Sequence, residues 1–185
     1  MTNTVTRAST NVHSHSRSTA HVANRLVESA IRLAMAHGVC EANWADRLDV
    51  LERGPRTWLL LGQLKKLMVE IYDRTELVAK YEFPIEQSGA PRTSKEVFTD
   101  SIADLEARVK QIAATTKATH YRIVCDCGEN WEPVPGWSAC KRASDSHLKK
   151  SVFSDKIIET QFSRVESHIF TKGDIGHERG VSDPK

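Results

Sequence analysis

The chain has no apolar run long enough to cross a bilayer, and its N-terminus lacks the hydrophobic stretch of a secretory signal. It contains no Asn-x-Ser/Thr acceptor for N-glycosylation. These absences point to a cytoplasmic or nuclear protein with no membrane partner. Also missing are G-x-x-x-x-G-K-S/T, G-x-G-x-x-G after a strand, H-E-x-x-H and G-x-S-x-G. The common nucleotide-binding, metalloprotease and hydrolase chemistries therefore have no motif to rest on. No repeat of solenoid length occurs. Cysteine is scarce: there are 4, and Cys40 stands 85 residues before Cys125. A disulfide framework is a poor account of that spacing, and grouped thiols inside a cell read first as ligands or redox groups.

What is present is enough for one domain with a core. The 185 residues are 39% hydrophobic and 27% charged, with a mean hydropathy of -0.43. The formal net charge of +2 is unevenly spread. Residues 1–25 hold Arg7, Arg17 and Arg25 with no acid, and residues 108–156 hold 9 cations against 5 carboxylates. Asymmetry of that kind suits an anionic partner, although a pI near 8.4 is below the strongly basic range.

Along the chain, residues 1–20 are rich in Ser, Thr, Asn and His and read as a disordered basic arm. Residues 21–170 read as a single helical domain. Val22, Leu26, Val27, Ala30, Ile31, Leu33 and Ala34 recur at three- and four-residue steps, predicting a helix that Gly38 stops. A short helix over 41–53 carries Trp44, Leu48 and Leu51 and breaks at Gly54-Pro55. Residues 57–81 then read as a long amphipathic helix through Trp58, Leu61, Leu64, Met68, Ile71 and Val78. A loop over 83–92 precedes a capped helix in which Phe98, Ile102, Leu105, Val109 and Ile112 form a heptad-like seam. Tyr121, Ile123 and Val124 suggest a short extended piece. A last helix is expected after Ser144 or Ser146, its seam running Ile158, Phe162, Val165, Ile169, and residues 171–185 read as a disordered tail. The expected fold is thus mainly α: four or five helices in a bundle-like domain with a short irregular or two-stranded cysteine-containing insert. The two seams face each other inside the fold, or extend as coiled-coil surfaces toward a second copy in a homo-oligomer.

The insert, residues 120–147, concentrates the chemistry. Cys125-Asp126-Cys127-Gly128 resembles half of a zinc knuckle, since two thiolates converge and the following glycine permits a tight turn. Cys140 offers a third thiolate, and His147, or alternatively His120, a fourth ligand for one structural zinc. The same residues give a cysteine-dependent enzyme its candidates, Cys125 or Cys127 as nucleophile with His120 or His147 as base; a non-catalytic role is the stronger expectation.

Trp131 and Trp137 stand among Arg122, Lys141, Arg142, Lys149 and Lys150. Aromatics interleaved with cations stack on unpaired bases and hold phosphates, so the leading expectation is a small regulatory or accessory protein that binds RNA or single-stranded nucleic acid. The same indoles equally serve to pack a short loop against the helices. The rival expectation is a helical protein–protein interaction or self-assembly module.

Overall fold

The computed structural model describes residues 4–39, 44–92 and 98–172. Its elements are α1 (Thr4–Ala36), α2 (Trp44–Leu60), β1 (Lys66–Asp73), β2 (Glu76–Gln87), β3 (Phe98–Asp100), α3 (Ile102–Thr115), β4 (His120–Asp126), β5 (Lys149–Thr160) and β6 (Ser163–Thr171). The six strands form an antiparallel sheet in the order β3-β5-β6-β2-β1-β4. This corrects the mainly α expectation: the fold is α/β, helices packed on one face of a sheet. The two longest predicted helices downstream of Gly54 are hairpins, β1–β2 and β5–β6.

The core lies between α1 and the sheet. From α1 it takes Val22, Leu26, Ala30 and Leu33 of the stripe expected from the sequence, together with Ala23, while Ile31 is only half-buried. From the sheet it takes Leu67, Val69 and Ile71 of β1, Ala79, Tyr81 and Phe83 of β2, and Val165 and Ile169 of β6. Alternation along a strand sends the intervening residues to the opposite face. Burying a side chain of this size stabilises by about 1.5–3 kcal/mol, so this layer dominates the energetics. The heptad-like seam on α3 is real in part: Ile102, Leu105, Val109 and Ile112 are buried. It packs beside α1 and the sheet within the one chain, and its expected partner seam lies across the β5–β6 hairpin. The helical-bundle and coiled-coil readings are corrected accordingly.

Three other boundaries differ from expectation. α1 begins at Thr4, so residues read as an arm stand in a helix. Ser18 bonds Thr160 at 2.6 Å and Ser14 bonds Gln161 at 3.1 Å, seating its first half on the β5–β6 turn. α2 runs through Pro55, whose missing N–H removes one hydrogen bond from the helix interior. It ends at Leu60 and is followed by Gly62 (φ +68), where the Gly62 N–H bonds Leu59 O at 3.1 Å and the Gln63 N–H bonds Trp58 O at 2.7 Å. That pattern closes the helix and turns the chain into β1. Cys40 and most of the predicted tail lie outside the described residues. Among the described residues no helix is long and apolar enough to cross a membrane.

Candidate functional site

β4 pairs with β1 on one side only and forms one margin of the sheet. An edge strand offers its second row of backbone N–H and C=O groups to whatever lies alongside. Here residues 127–148, the strap, leave the end of β4 on the helix side, pass beside its outer edge and reach the back of the sheet before entering β5.

The first half of the strap is held by indoles. Trp58 of α2 makes edge-to-face contacts with Trp131 (centroids 5.8 Å) and Trp137 (5.3 Å). The Trp58 indole N–H donates to Glu132 O at 2.7 Å, and that of Trp137 donates to Val50 O at 2.8 Å. Gln63 adds two bonds, its amide N–H to Asn130 O at 3.2 Å and its carbonyl oxygen accepting from Glu132 N at 3.0 Å. Val134 is buried among them. The fit depends on absent side chains: a Cβ on Gly54 would stand 2.5 Å from Nε1 of Trp137, and one on Gly136 would stand 2.3 Å from Cγ1 of Val50.

The second half is held by polar groups on the back of the sheet. There the register aligns Arg122, Glu70, Lys80, Phe170 and Lys150 in one row across five strands. Glu70 is fully buried, and its Oε2 accepts from Arg122 Nε at 2.8 Å, Arg122 Nη2 at 2.6 Å and Tyr72 OH at 2.8 Å. Burial, with the Glu70 carboxylate beside it, pushes the Tyr72 phenol up to about 12. Lys80, 1% exposed, pairs with Glu82 at 2.7 Å, and Glu82 also pairs with Lys66 at 2.7 Å. Onto this row the strap lays Asp145 against Lys80 and the Lys141 carbonyl oxygen against Arg122 Nη2 at 3.2 Å, and beside the row Arg142 pairs with Asp126 at the end of β4, 2.6 Å away. His147 Nε2 reaches Leu77 O at 2.8 Å.

Two cavities lie between strap and β4. One, of about 210 Å³, is lined by Trp58, Ile123, Cys125, Cys127, Trp137 and Cys140, among others. The other, of about 280 Å³, is lined chiefly by Arg47, Val50 and Leu51 of α2, Tyr121 and Ile123 of β4, and Trp137.

The expected metal ligands do not assemble. Cys125, Cys127 and Cys140 share the first cavity. His147 is engaged with the β1–β2 end of the sheet, and His120, stacked on Tyr72 with centroids 5.0 Å apart, begins β4 while the Cys125 pair ends it. Over those residues a strand spans about 20 Å. Among the described residues no group of three or more His, Cys, Asp or Glu side chains is placed to hold a metal ion, which corrects the zinc expectation. Burial, with Asp126 adding, pushes the Cys127 thiol up to about 12. Burial likewise raises Cys125 well above its ordinary range, so both thiols are protonated at neutral pH.

The nucleic-acid reading is corrected on similar grounds. Trp131 and Trp137 face α2 rather than solvent, Arg122 and Arg142 are ion-paired within the fold, and Lys150 lies over the Phe170 ring at 5.9 Å. Lys141 and Lys149 are exposed at either end of the strap's second half without forming a platform with the indoles. Sequence reasoning missed Gly54, Trp58, Gln63 and Lys80 as parts of the site. The signal for Lys80 was there, a lysine and glutamates inside an apolar stretch, but it is legible only once that stretch is read as a strand.

Comparison with known proteins agrees. A family profile described as Bacterial HORMA domain 2 matches residues 7–168. A chain in a crystal structure of the mitotic checkpoint complex superposes with a TM-score of 0.52 over 72% of this chain and 75% of that one, at 11% identity, a likeness of fold alone. No curated protein matches the sequence.

Proposed function

The chain belongs to the Bacterial HORMA domain 2 family, and from that premise we propose that it is a protein-interaction module that takes an extended segment of a second protein alongside β4, beneath the strap. The observation that carries this reading is an edge strand bordered by cavities and crossed by a strap. Strand addition uses the backbone of the edge for affinity and the flanking pockets for selectivity. Because side chains alternate along a strand, every second residue of the incoming segment would point toward Val50, Leu51, Ile123 and Trp137, which favours apolar side chains there. The others would point toward the back of the sheet, beside Arg122 and Asp126. The similarity to a chain from a multiprotein assembly supports the same class of role, and the earlier rival expectation of a protein-interaction module becomes the main one.

The test is selection from a displayed library of random linear peptides on the full-length chain, followed by hydrogen exchange on the complex. Peptides with alternating apolar residues should be enriched, and their binding should slow exchange across residues 120–126. Enriched peptides that protect another surface, or no enrichment at all, would remove the proposal. Light scattering on the free chain separates a segment donated by a second copy from one donated by a different protein.

A further inference from the structure

Cys125, Cys127 and Cys140 meet at one cavity without making a metal site, and their placement sets them apart from one another. Cys125 and Cys127 are half-buried against the core, whereas Cys140 is exposed. Cys125 lies on β4 and Cys127 two residues further along, so their Cα atoms stand about 7 Å apart on extended chain, beyond the usual reach of a disulfide. Cys140 arrives from the strap instead. The Lys141 carbonyl oxygen accepts from Arg122 Nη2 at 3.2 Å and Arg142 pairs with Asp126 at 2.6 Å, which ties the residues after Cys140 to β4 on either side of Cys125. The Trp137 indole N–H ties the residues before it to Val50 O at 2.8 Å. Between these anchors Cys140 joins Cys125 in lining the cavity of about 210 Å³.

Electrostatics pairs the same two sulfurs. Burial pushes the Cys125 thiol up, and charge on Cys127 and on Cys140 adds to it, whereas Cys127 is pushed up by burial and by Asp126. The two thiols also differ in what can reach them, since oxidation follows exposure and thiolate character. An oxidant in solution meets Cys140 first. Cys125, protonated and half-buried, reacts with a partner already beside it.

We propose that Cys140 and Cys125 are a peroxide-responsive pair that closes into a disulfide between the strap and β4. The Cys140 sulfur attacks one oxygen of hydrogen peroxide; an S–O bond forms, the O–O bond breaks, and the other oxygen leaves as water with the thiol proton. The Cys125 sulfur then attacks the sulfenic sulfur of Cys140. The S–S bond forms, the S–O bond breaks, and the hydroxyl leaves with the Cys125 proton as a second water. Each sulfur has given up one electron, and the peroxide has taken both. The bond closes a ring over residues 125–140 and pins the strap beside the outer edge of β4. That it would also bar the segment proposed for that edge rests on the reading above; the bond itself is a property of the free chain.

The test uses the full-length chain with Cys40→Ser, treated with hydrogen peroxide, blocked with N-ethylmaleimide, digested without reduction and read by mass spectrometry. A peptide pair joined through Cys125 and Cys140 should appear, in a single chain lighter by two hydrogens, and dithiothreitol should undo it. Cys127→Ser should form the bond at an unchanged rate. Cys125→Ser should abolish it and raise dimedone capture of the Cys140 sulfenic acid about tenfold, because the resolving thiol is gone. Cys140→Ser, a change at an exposed position, should leave Cys125 and Cys127 reduced at the same peroxide dose, and it carries the test if circular dichroism shows Cys125→Ser unfolded. A bond through Cys127, a bond between two chains, or Cys140 driven to sulfinic acid while Cys125 stays free would overturn the proposal. A failure of peptide selection with the Cys125–Cys140 bond formed would instead sink the binding reading alone.

Discussion

The ring of Trp137 occupies the space where Gly54 would carry a side chain, with Nε1 2.5 Å from the position of an ideal Cβ. The pair joins the middle of α2 to the strap at the point where the strap turns toward the outer edge of β4. Replacing a helical glycine with alanine ordinarily stabilises by about 0.5–1 kcal/mol. Here the added methyl meets a rigid ring already wedged against Trp58, and overpacking of that kind costs about 1–3 kcal/mol.

Gly54→Ala is therefore expected to lower the urea midpoint and shift tryptophan emission to the red, as Trp137 leaves Val50 O. In a Trp137→Ala background the same substitution should become stabilising, because only the helix effect remains. A double-mutant cycle over the four proteins checks the reversal of sign. Two destabilising values would show that Trp137 is not what fills the space.

The sequence disclosed the helices better than the strands, and the reason lies in how this sheet is buried. β1 and β2 are covered on both faces, so Leu67, Met68, Val69, Glu70 and Ile71 are all buried and no alternation survives to announce a strand. Leu64, Met68, Ile71 and Val78 then fall by coincidence at helical steps. In β6 the alternation exists but is disguised, since the inward positions include Ser163, Ser167 and Thr171 while an outward position carries Phe170. α1 and α3 bury one face each, which is the case that periodicity describes. Residues 120–147 were recognised as the chemically dense stretch, and Tyr121 to Val124 as extended. Their role was misjudged because thiols, indoles and cations close in sequence are sent to different sides of the sheet by a strap that rounds its margin.

Lys80 is the charge on which the back of the sheet turns. Lys80→Met leaves Glu82 with Lys66 alone and Asp145 with no cation on the sheet, and is expected to cost about 3 kcal/mol. Lys80→Met with Glu82→Gln should recover more than half of that loss, because a neutral amide needs no buried counter-charge. Chemical denaturation of both variants provides the comparison; equal losses would mean that the Glu82 carboxylate is not the source of the loss and that the Lys80 ammonium contributes chiefly through the Phe170 ring, whose centroid lies 4.7 Å away.

His37, at the C-terminal end of α1, sets an acid limit on stability. Its Nε2 lies 2.7 Å from the Tyr81 hydroxyl, and its Nδ1 is buried without a partner, so an added proton would have no acceptor. Burial lowers its pKa from 6.5 to about 4, whereas in the unfolded chain the ring titrates near the ordinary value. Between those two values the unfolded state binds more protons than the folded one, so stability rises with pH across the window and falls as pH drops from about 6.5 toward about 4. The slope from one such group is at most about 1.4 kcal/mol per pH unit. His37→Gln keeps a hydrogen-bonding group beside Tyr81 but cannot take up the proton. The difference in unfolding free energy between the unmodified chain and this variant should be constant above pH 6.5 and shift against the unmodified chain as the pH is lowered to about 4. Parallel curves through that window would mean that His37 is open enough to water to titrate alike in both states, and that the acid sensitivity of the fold resides elsewhere.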